Sequence, residues 1–237
     1  MSKLNWEQIW TKKALDHSEG DLTLAEIMRV NGYDVGYAKT DTDAMYEYVD
    51  GLIKHLELAD GGHLLEVGCG AGAISMPMLE RGHKLTGIDL SPDLIKIARQ
   101  AMPGAEFHVS GAAEYTLEKR DFDAALSQGV FQFFPSQEYG AESVKNMLNH
   151  VRSGAVVGVT DLLDKALEET LMEERIRILG EEEYKKKYAD TGLQHQFYDR
   201  ATFEEAADGL CSECWFTDQF LNNPTAKYKF NFFARKA

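Results

Sequence analysis

Glu66-Val67-Gly68-Cys69-Gly70-Ala71-Gly72 sets three glycines at alternate positions behind an acidic residue, directly after the apolar pair Leu64-Leu65. Glycine lets a chain turn with positive φ and lets a ligand come close to the backbone. About 20 residues further on, a second apolar run ends in Asp89. A carboxylate there can accept hydrogen bonds from both hydroxyls of a ribose. Residues 64–91 therefore predict a dinucleotide-type cofactor pocket. A glycine turn by itself can also serve only to pack a helix on a strand. The order of strand, loop, helix, strand and acid favours a ligand. Elsewhere, a histidine titrates near neutrality and suits proton transfer, which makes His195 a candidate base; a packing or surface histidine is the alternative.

These residues need a particular scaffold. Short apolar runs at 63–67, 84–89, 105–110, 122–128 and 155–161 alternate with amphipathic stretches, which signals a parallel sheet with helices on both faces. A helix pattern follows the glycine loop at 73–81. Ser91-Pro92 suits the N-cap and first turn of another, with Leu94, Ile95, Ala98 and Met102 as its buried stripe. Two more strand-like runs, 215–221 and 228–235, flank the turn sequence Asn222-Asn223-Pro224-Thr225 and predict an antiparallel pair at the sheet edge. The fold expected is α/β, Rossmann-like and doubly wound, with a mostly parallel seven-stranded sheet, an antiparallel C-terminal strand and a helical cap. One domain spans 1–237: a helical cap at 1–56, the cofactor-binding core at 60–161, a charged helical insertion at 164–190, and a closing helix and strands at 199–237.

The motif from Glu66 to Gly72, with Gly87-Ile88-Asp89-Leu90-Ser91, resembles motif I and the acidic partner of class I S-adenosylmethionine-dependent methyltransferases. The resemblance covers roughly 60–161. Phe122–Ser127 resembles the fourth strand of that family, and Gln128-Gly129-Val130-Phe131-Gln132-Phe133-Phe134-Pro135 its loop facing cofactor and substrate. Val151-Arg152-Ser153-Gly154-Ala155 resembles a Lys-Pro-Gly-Gly turn without the proline. A further departure is Gly111, where the family often has an aspartate near the adenine; Ala112 N–H and Glu114 are the substitutes on offer. The stretches Asn31–Asp34, 130–135, 195–198 and 227–231 resemble a small-molecule subgroup from polysaccharide and natural-product pathways.

The resemblance implies S-adenosyl-L-methionine as cofactor, held by Glu66, Gly68, Cys69, Gly70, Gly72, Asp89, Leu90, Ala112 and Gln128. Methyl transfer is an in-line displacement that needs alignment, exclusion of water and, for a hydroxyl, removal of a proton. No metal is required, because the sulfonium is itself the electrophile. Tyr33 and Tyr37 are placed to close over that sulfonium, or else to pack. Phe131, Gln132 and Tyr198 are the expected substrate side, and His195 the catalytic base. The reaction expected is methyl transfer to oxygen or nitrogen of a small metabolite, a sugar or natural-product intermediate being favoured. The alternatives are a nicotinamide-dependent oxidoreductase, which the Glu66 glycine pattern resembles less, and a non-catalytic cofactor-binding module.

Composition narrows the partners. A net charge of −14 opposes a nucleic-acid binder, which needs basic surface. Lys185-Lys186-Lys187 follows three glutamates and reads as a solvated helix face. No apolar run nears the ~20 residues of a membrane span, and the N-terminus lacks a secretory h-region, so a cytoplasmic monomer or homodimer acting on a small molecule is expected. Cys211 and Cys214 have no second ligand pair and read as small buried residues. Trp6 and Trp10, at i and i+4, read as anchors for an N-terminal helix.

Overall fold

A computed structural model describes residues 22–33, 39–186, 194–221 and 223–237. Seven strands form one sheet: β1 (His63–Val67), β2 (Lys84–Asp89), β3 (Glu106–Val109), β4 (Phe122–Gln128), β5 (Val151–Leu163), β6 (Cys211–Asp218) and β7 (Lys229–Lys236). Their order is β3-β2-β1-β4-β5-β7-β6. The first five run parallel, and β7 is antiparallel to both β5 and β6. This is the Rossmann-like, mostly parallel sheet expected. The order turns back at β1 and β4, and open α/β sheets bind ligands outside the strand ends at such a reversal.

Side chains alternate across the sheet with the period of two that a strand imposes. Leu64, Ala124 and Val156 face one core with α1 (Leu24–Val30), α2 (Thr42–His55), α3 (Ser75–Glu80) and α4 (Pro92–Ala101). Leu65, Ala125 and Val157 face the other, with α5 (Gln137–Leu148) and α8 (Arg200–Ala207). Helices start where short polar side chains satisfy first-turn N–H groups: Asp41 caps α2 at 2.8 Å, Ser91 caps α4 at 3.3 Å and Ser136 caps α5 at 3.2 Å. Pro92 stands in the first turn of α4, where its missing N–H costs nothing.

Two expectations changed and one was sharpened. The resemblance to a turn at 151–155 is absorbed into β5 as an irregularity: Phe122 pairs with Val151, but Ala124 already pairs with Val156. Gly154, at φ 79°, takes up the surplus residues. The closing pair stands at the sheet edge as expected, antiparallel, with β6 outermost. β7 is interior, wedged between β5 and β6, because Phe230, Phe232 and Phe233 are fully buried and need cover on both sides. Finally, β6 begins at Cys211, so Cys211 and Cys214 are half-buried strand residues rather than buried spacers before a strand.

The charged insertion forms α6 (Glu168–Leu179) and the short α7 (Glu181–Tyr184). Leu171 is the one buried side chain of α6 and packs with Leu163, Phe197 and Tyr228. Tyr37, Trp6 and Trp10 lie outside the described residues, as do parts of both predicted cap segments.

Candidate active site

β1 ends at Val67, and the chain then makes three left-handed glycine turns: Gly68 (φ 79°), Gly70 (φ 56°) and Gly72 (φ 100°). Sterics reinforce conformation. A Cβ on Gly68 would stand 2.3 Å from Val130 Cγ2, and one on Gly70 2.7 Å from Asn31 Nδ2. The loop is therefore pressed between α1 and the segment after β4. Gly68 N–H and Cys69 N–H both donate to Ile88 O, at 2.7 and 3.0 Å, which ties the loop to the end of β2.

Asp89 stands at that end. One carboxylate oxygen accepts from Gly70 N–H at 2.8 Å and the other from Ser91 N–H at 2.8 Å. Each carboxylate oxygen has a second lone-pair site, so the side chain that shapes the loop can also accept from a ribose. Asn31 closes the loop from the other side, accepting from Ala71 N–H at 2.9 Å.

Glu66 is buried beneath the loop and takes a hydrogen bond from Ser75 Oγ. Burial pushes its pKa up to about 8; the Ser75 hydrogen bond opposes the rise and Asp89 adds to it. Burial also raises Asp89, against the donors Ser91 and Gly70. Burial, then Asp89 and Glu66, hold the Cys69 thiol well up. Tyr33 donates to Gln128 Oε1, and burial leads Tyr48, Asp161 and Glu66 in raising its phenol.

These groups surround a cavity of about 350 Å³. Of the residues expected at the cofactor, Glu66, Gly68, Cys69, Gly70, Asp89, Leu90, Ala112, Gln128 and Tyr33 line it. Gly72 does not: it faces Met102, whose Cε lies 2.2 Å from where a Cβ would be, so its role is helix packing. Tyr37 is outside the described residues. Leu90 is 54% exposed, an apolar side chain held at the mouth.

The expected substrate side is rearranged. Phe131, Gln132 and Tyr198 are not on the cavity wall; Val130, Phe133, Phe134 and Pro135 are. The short 3-10 turn Phe131–Phe133 sends Phe131 into the core and Phe133 to the cavity. Tyr198 is fully buried, and its O–H donates to Phe131 O at 3.0 Å. Gln132 turns back to Gly129 O at 3.2 Å. His195 stands one layer out, edge-on to Phe133 with ring centres 5.6 Å apart. Arg175 Nη2 lies 3.2 Å from His195 Nδ1. Arginine only donates, so Nδ1 is the acceptor of this contact.

Near Gly111 the missing aspartate is replaced in space. A Cβ on Gly111 would sit 2.1 Å from Glu114 Oε2, and Tyr139 O–H donates to that oxygen at 2.7 Å. Tyr139 and Asn31 line the cavity, yet neither was expected there from sequence. Asn31 lay in a noted stretch, but its contact with Ala71 spans 40 residues and leaves no local signal. Tyr139 reads as an ordinary helix residue.

The donor set tests the cofactor. Two carboxyl groups, the buried Glu66 and the half-buried Asp89, with no lysine or arginine among the described lining residues, suit a cationic ligand better than an anionic one. They oppose the anionic pyrophosphate of a nicotinamide dinucleotide. The volume lies within the range of small-molecule sites. The residues present therefore fit S-adenosylmethionine, with Asp89 for the ribose and the glycine loop for the amino-acid end.

Known proteins agree. Residues 64–154 match the family model described as a methyltransferase domain. The chain is 35% identical over 103 residues to ubiquinone biosynthesis O-methyltransferase of Xanthomonas oryzae pv. oryzae, covering 44% of this chain and 38% of that protein. It is 34% identical over 121 residues to cyclosporin synthetase of Tolypocladium inflatum, covering 46% of this chain and 1% of that protein. The matched part thus spans well under half the length of these relatives. The solved magnesium protoporphyrin IX methyltransferase of Synechocystis, with bound S-adenosylhomocysteine, superposes with a TM-score of 0.59 at 14% identity, covering 96% of this chain and 93% of that one. Residues 64–154 thus match a methyltransferase domain, and the fold around them is shared with solved methyltransferases.

Proposed function

We propose that the protein transfers the methyl group of S-adenosylmethionine to an oxygen or nitrogen of a small metabolite, a phenolic natural-product intermediate being favoured. The observation that carries this is the cavity itself: carboxylates and glycines on one wall, and Val130, Phe133, Phe134 and Pro135 on the other. Such a site can hold a cationic donor against a flat, apolar acceptor. The ubiquinone biosynthesis O-methyltransferase among the relatives supports the same class of acceptor.

When bound, the cofactor supplies the activated methyl group. The chain's own residues then bind, orient and exclude water. Asp89, with Gly68 and Gly70, fixes the donor. Tyr33 and Gln128 supply polar contacts on the cavity floor, and Phe133 and Phe134 shield the reacting atoms from solvent. His195 was expected as the base. Off the cavity wall and edge-on to Phe133, it is assigned by this reading to holding the Phe133 ring in place. A phenolic acceptor, with a pKa near 10, can lose its proton to water and needs no strong base.

Calorimetric titration with S-adenosylhomocysteine and with NADH tests the donor. The protein should bind the first and not the second. Asp89→Ala frees two backbone N–H groups and removes the ribose acceptor, which at about 2–4 kcal/mol is roughly a 30- to 1000-fold loss of affinity. Unchanged affinity in that variant defeats the reading. Transfer of a radiolabelled methyl group over a panel of phenols, amines and sugars then identifies the acceptor; a blank panel beside tight cofactor binding would favour a binding module.

A further inference from the structure

β6 carries two of the chain's three cysteines, and neither the glycine loop nor the aromatic wall uses them. A regular strand sends residues three apart to opposite faces, so the spacing of Cys211 and Cys214 by itself separates them. The pairing with β7 brings them back together. Cys211 pairs with Lys236, whereas Glu213 already pairs with Arg235, so Ser212 is an extra residue on β6. A bulge of this kind sets two residues against one and shifts the alternation of side chains across it. Past the bulge, Cys214 stands opposite Ala234. Lys236 and Ala234 are two apart on β7 and share a face, and so do the cysteines opposite them.

Packing agrees with the register. Cys211, Cys214 and Phe216 lie against the core that holds Phe230, Phe232 and Ala234, while Trp215 lies against the other core. The bulge is tied to β7 on both sides: Ser212 Oγ donates to Arg235 O at 3.4 Å, and Ala237 N–H donates to Leu210 O at 3.1 Å. Two register steps along a strand cover about 6.6 Å, within the roughly 4.4–6.8 Å between Cα atoms that a disulfide spans. Both thiols are free and only half-buried, within reach of a small reagent. Burial, then Cys211 and Glu204, raise the Cys214 thiol, so its reaction is faster above neutral pH. Two sulfurs do not make a metal site here, since no group of three or more His, Cys, Asp or Glu among the described residues could hold an ion. A bond from Cys211 to Cys214 closes a very short loop, where the chain-entropy gain of a disulfide is least. Exposed disulfides are also the labile ones. The pair thus suits reversible chemistry better than a structural staple.

We propose that the Ser212 bulge makes Cys211 and Cys214 a reversible disulfide site, whose oxidant is a small disulfide of the glutathione kind. One cysteine thiolate attacks a sulfur of the small disulfide, whose S–S bond breaks; a mixed disulfide forms and one small thiol leaves. The second cysteine, as thiolate, attacks the protein sulfur of the mixed disulfide, and the other small thiol leaves. The protein gives up two protons and two electrons, and the small disulfide is reduced to two thiols. Neither cysteine lines the cavity, so the site stands independently of the methyl-transfer reading.

The test incubates the full chain at pH 8.5 with glutathione disulfide, quenches with acid, then unfolds the protein and alkylates its free thiols. Circular dichroism before the quench confirms that each chain is folded. Trypsin leaves both cysteines on one peptide, because no lysine or arginine stands between Ala201 and Ala226. That peptide should be lighter by two hydrogens and free of alkyl groups, and should outnumber its glutathione adducts at least tenfold. Dithiothreitol should return it to two alkylated cysteines. Cys211→Ser should leave a lasting glutathione adduct on Cys214, and Cys214→Ser one on Cys211. Deleting Ser212 keeps both cysteines but restores the alternation, and should cut closure tenfold or more at the same glutathione ratio. If that deletion does not fold, the parent and the two serine variants decide. Lasting adducts on both cysteines, two untouched thiols, or chains cross-linked to one another in the parent overturn the proposal. So does undiminished closure in a folded Ser212 deletion.

Discussion

Glu66 is a carboxyl group that folding buries. Its pKa is about 8 in the folded chain, against an ordinary 4.5. Because the folded value is the higher, the folded state holds a proton that the unfolded chain has given up between those values, so stability is full below about 4.5 and is lost as pH rises through about 8. Asp89 is shifted in the same direction. Glu66→Gln keeps an acceptor for Ser75 but cannot ionise. Without cofactor, its stability relative to the parent should grow between pH 5 and pH 8, by about 3 kcal/mol, in urea unfolding at the two pH values. A constant difference would show that the carboxyl is not buried as described. Much at this scale was legible in the sequence. The alternating glycines, Glu66 and Asp89 are neighbours along the chain, and their roles follow from the strand that carries them. Asn31 and Tyr139 were not legible, because Asn31 meets the loop across 40 residues and Tyr139 reads as an ordinary helix residue. Phe131 and Phe133 differ only in which way a three-residue turn sends them.

At the scale of elements, the segment 194–198 acts as a strap across the loop after β4. Gln196 N–H donates to Gln132 O at 2.9 Å, and Tyr198 N–H donates to Leu163 O at 2.9 Å. Tyr198 O–H adds the contact to Phe131 O. The sequence marked 195–198 by a resemblance, and the hydrogen bonds of this stretch fix the backbone whose next residues form the aromatic wall. Tyr198→Phe leaves the buried Phe131 carbonyl without that donor. It should cost about 1–2 kcal/mol, a fall of a few degrees in Tm, with faster amide exchange confined to the 131–134 turn. Equal exchange there in both proteins would mean that the strap does not hold the turn. Strand bounds followed a similar logic. β1, β2 and β4 match their apolar runs because burial ends where the site begins. β5 outran its apolar run, since its first residues, exposed Arg152 and Ser153 among them, carry no apolar signal.

For the whole molecule, the decisive feature is β7. It bonds to β5 on one side and to β6 on the other, so β6 meets the sheet only through it. Phe230 and Phe232 belong to one core and Phe233 to the other. Shortening the chain to end at Tyr228 should therefore abolish cooperative unfolding in circular dichroism, not merely lower Tm. A sharp transition in the shortened chain would show that β1 to β5 stand alone. Alternation of strands and helices made the parallel half readable. The position of β7 was not, because the hairpin pattern specifies that two strands pair and says nothing of which one enters the sheet.

The glycine loop also carries one of the chain's three cysteines. Cys69 is buried, with Sγ against Gly70 O at 3.7 Å and within 2.8 Å of the space above Gly87. Cys211 and Cys214 are partly open on β6. A thiol-modifying reagent can reach Cys69 only when the loop lifts away from β2, while the β6 thiols record the reagent's ordinary reactivity. The protein thus contains its own clock for loop opening, one that can be read by mass spectrometry without a fluorophore, a substrate or a substitution.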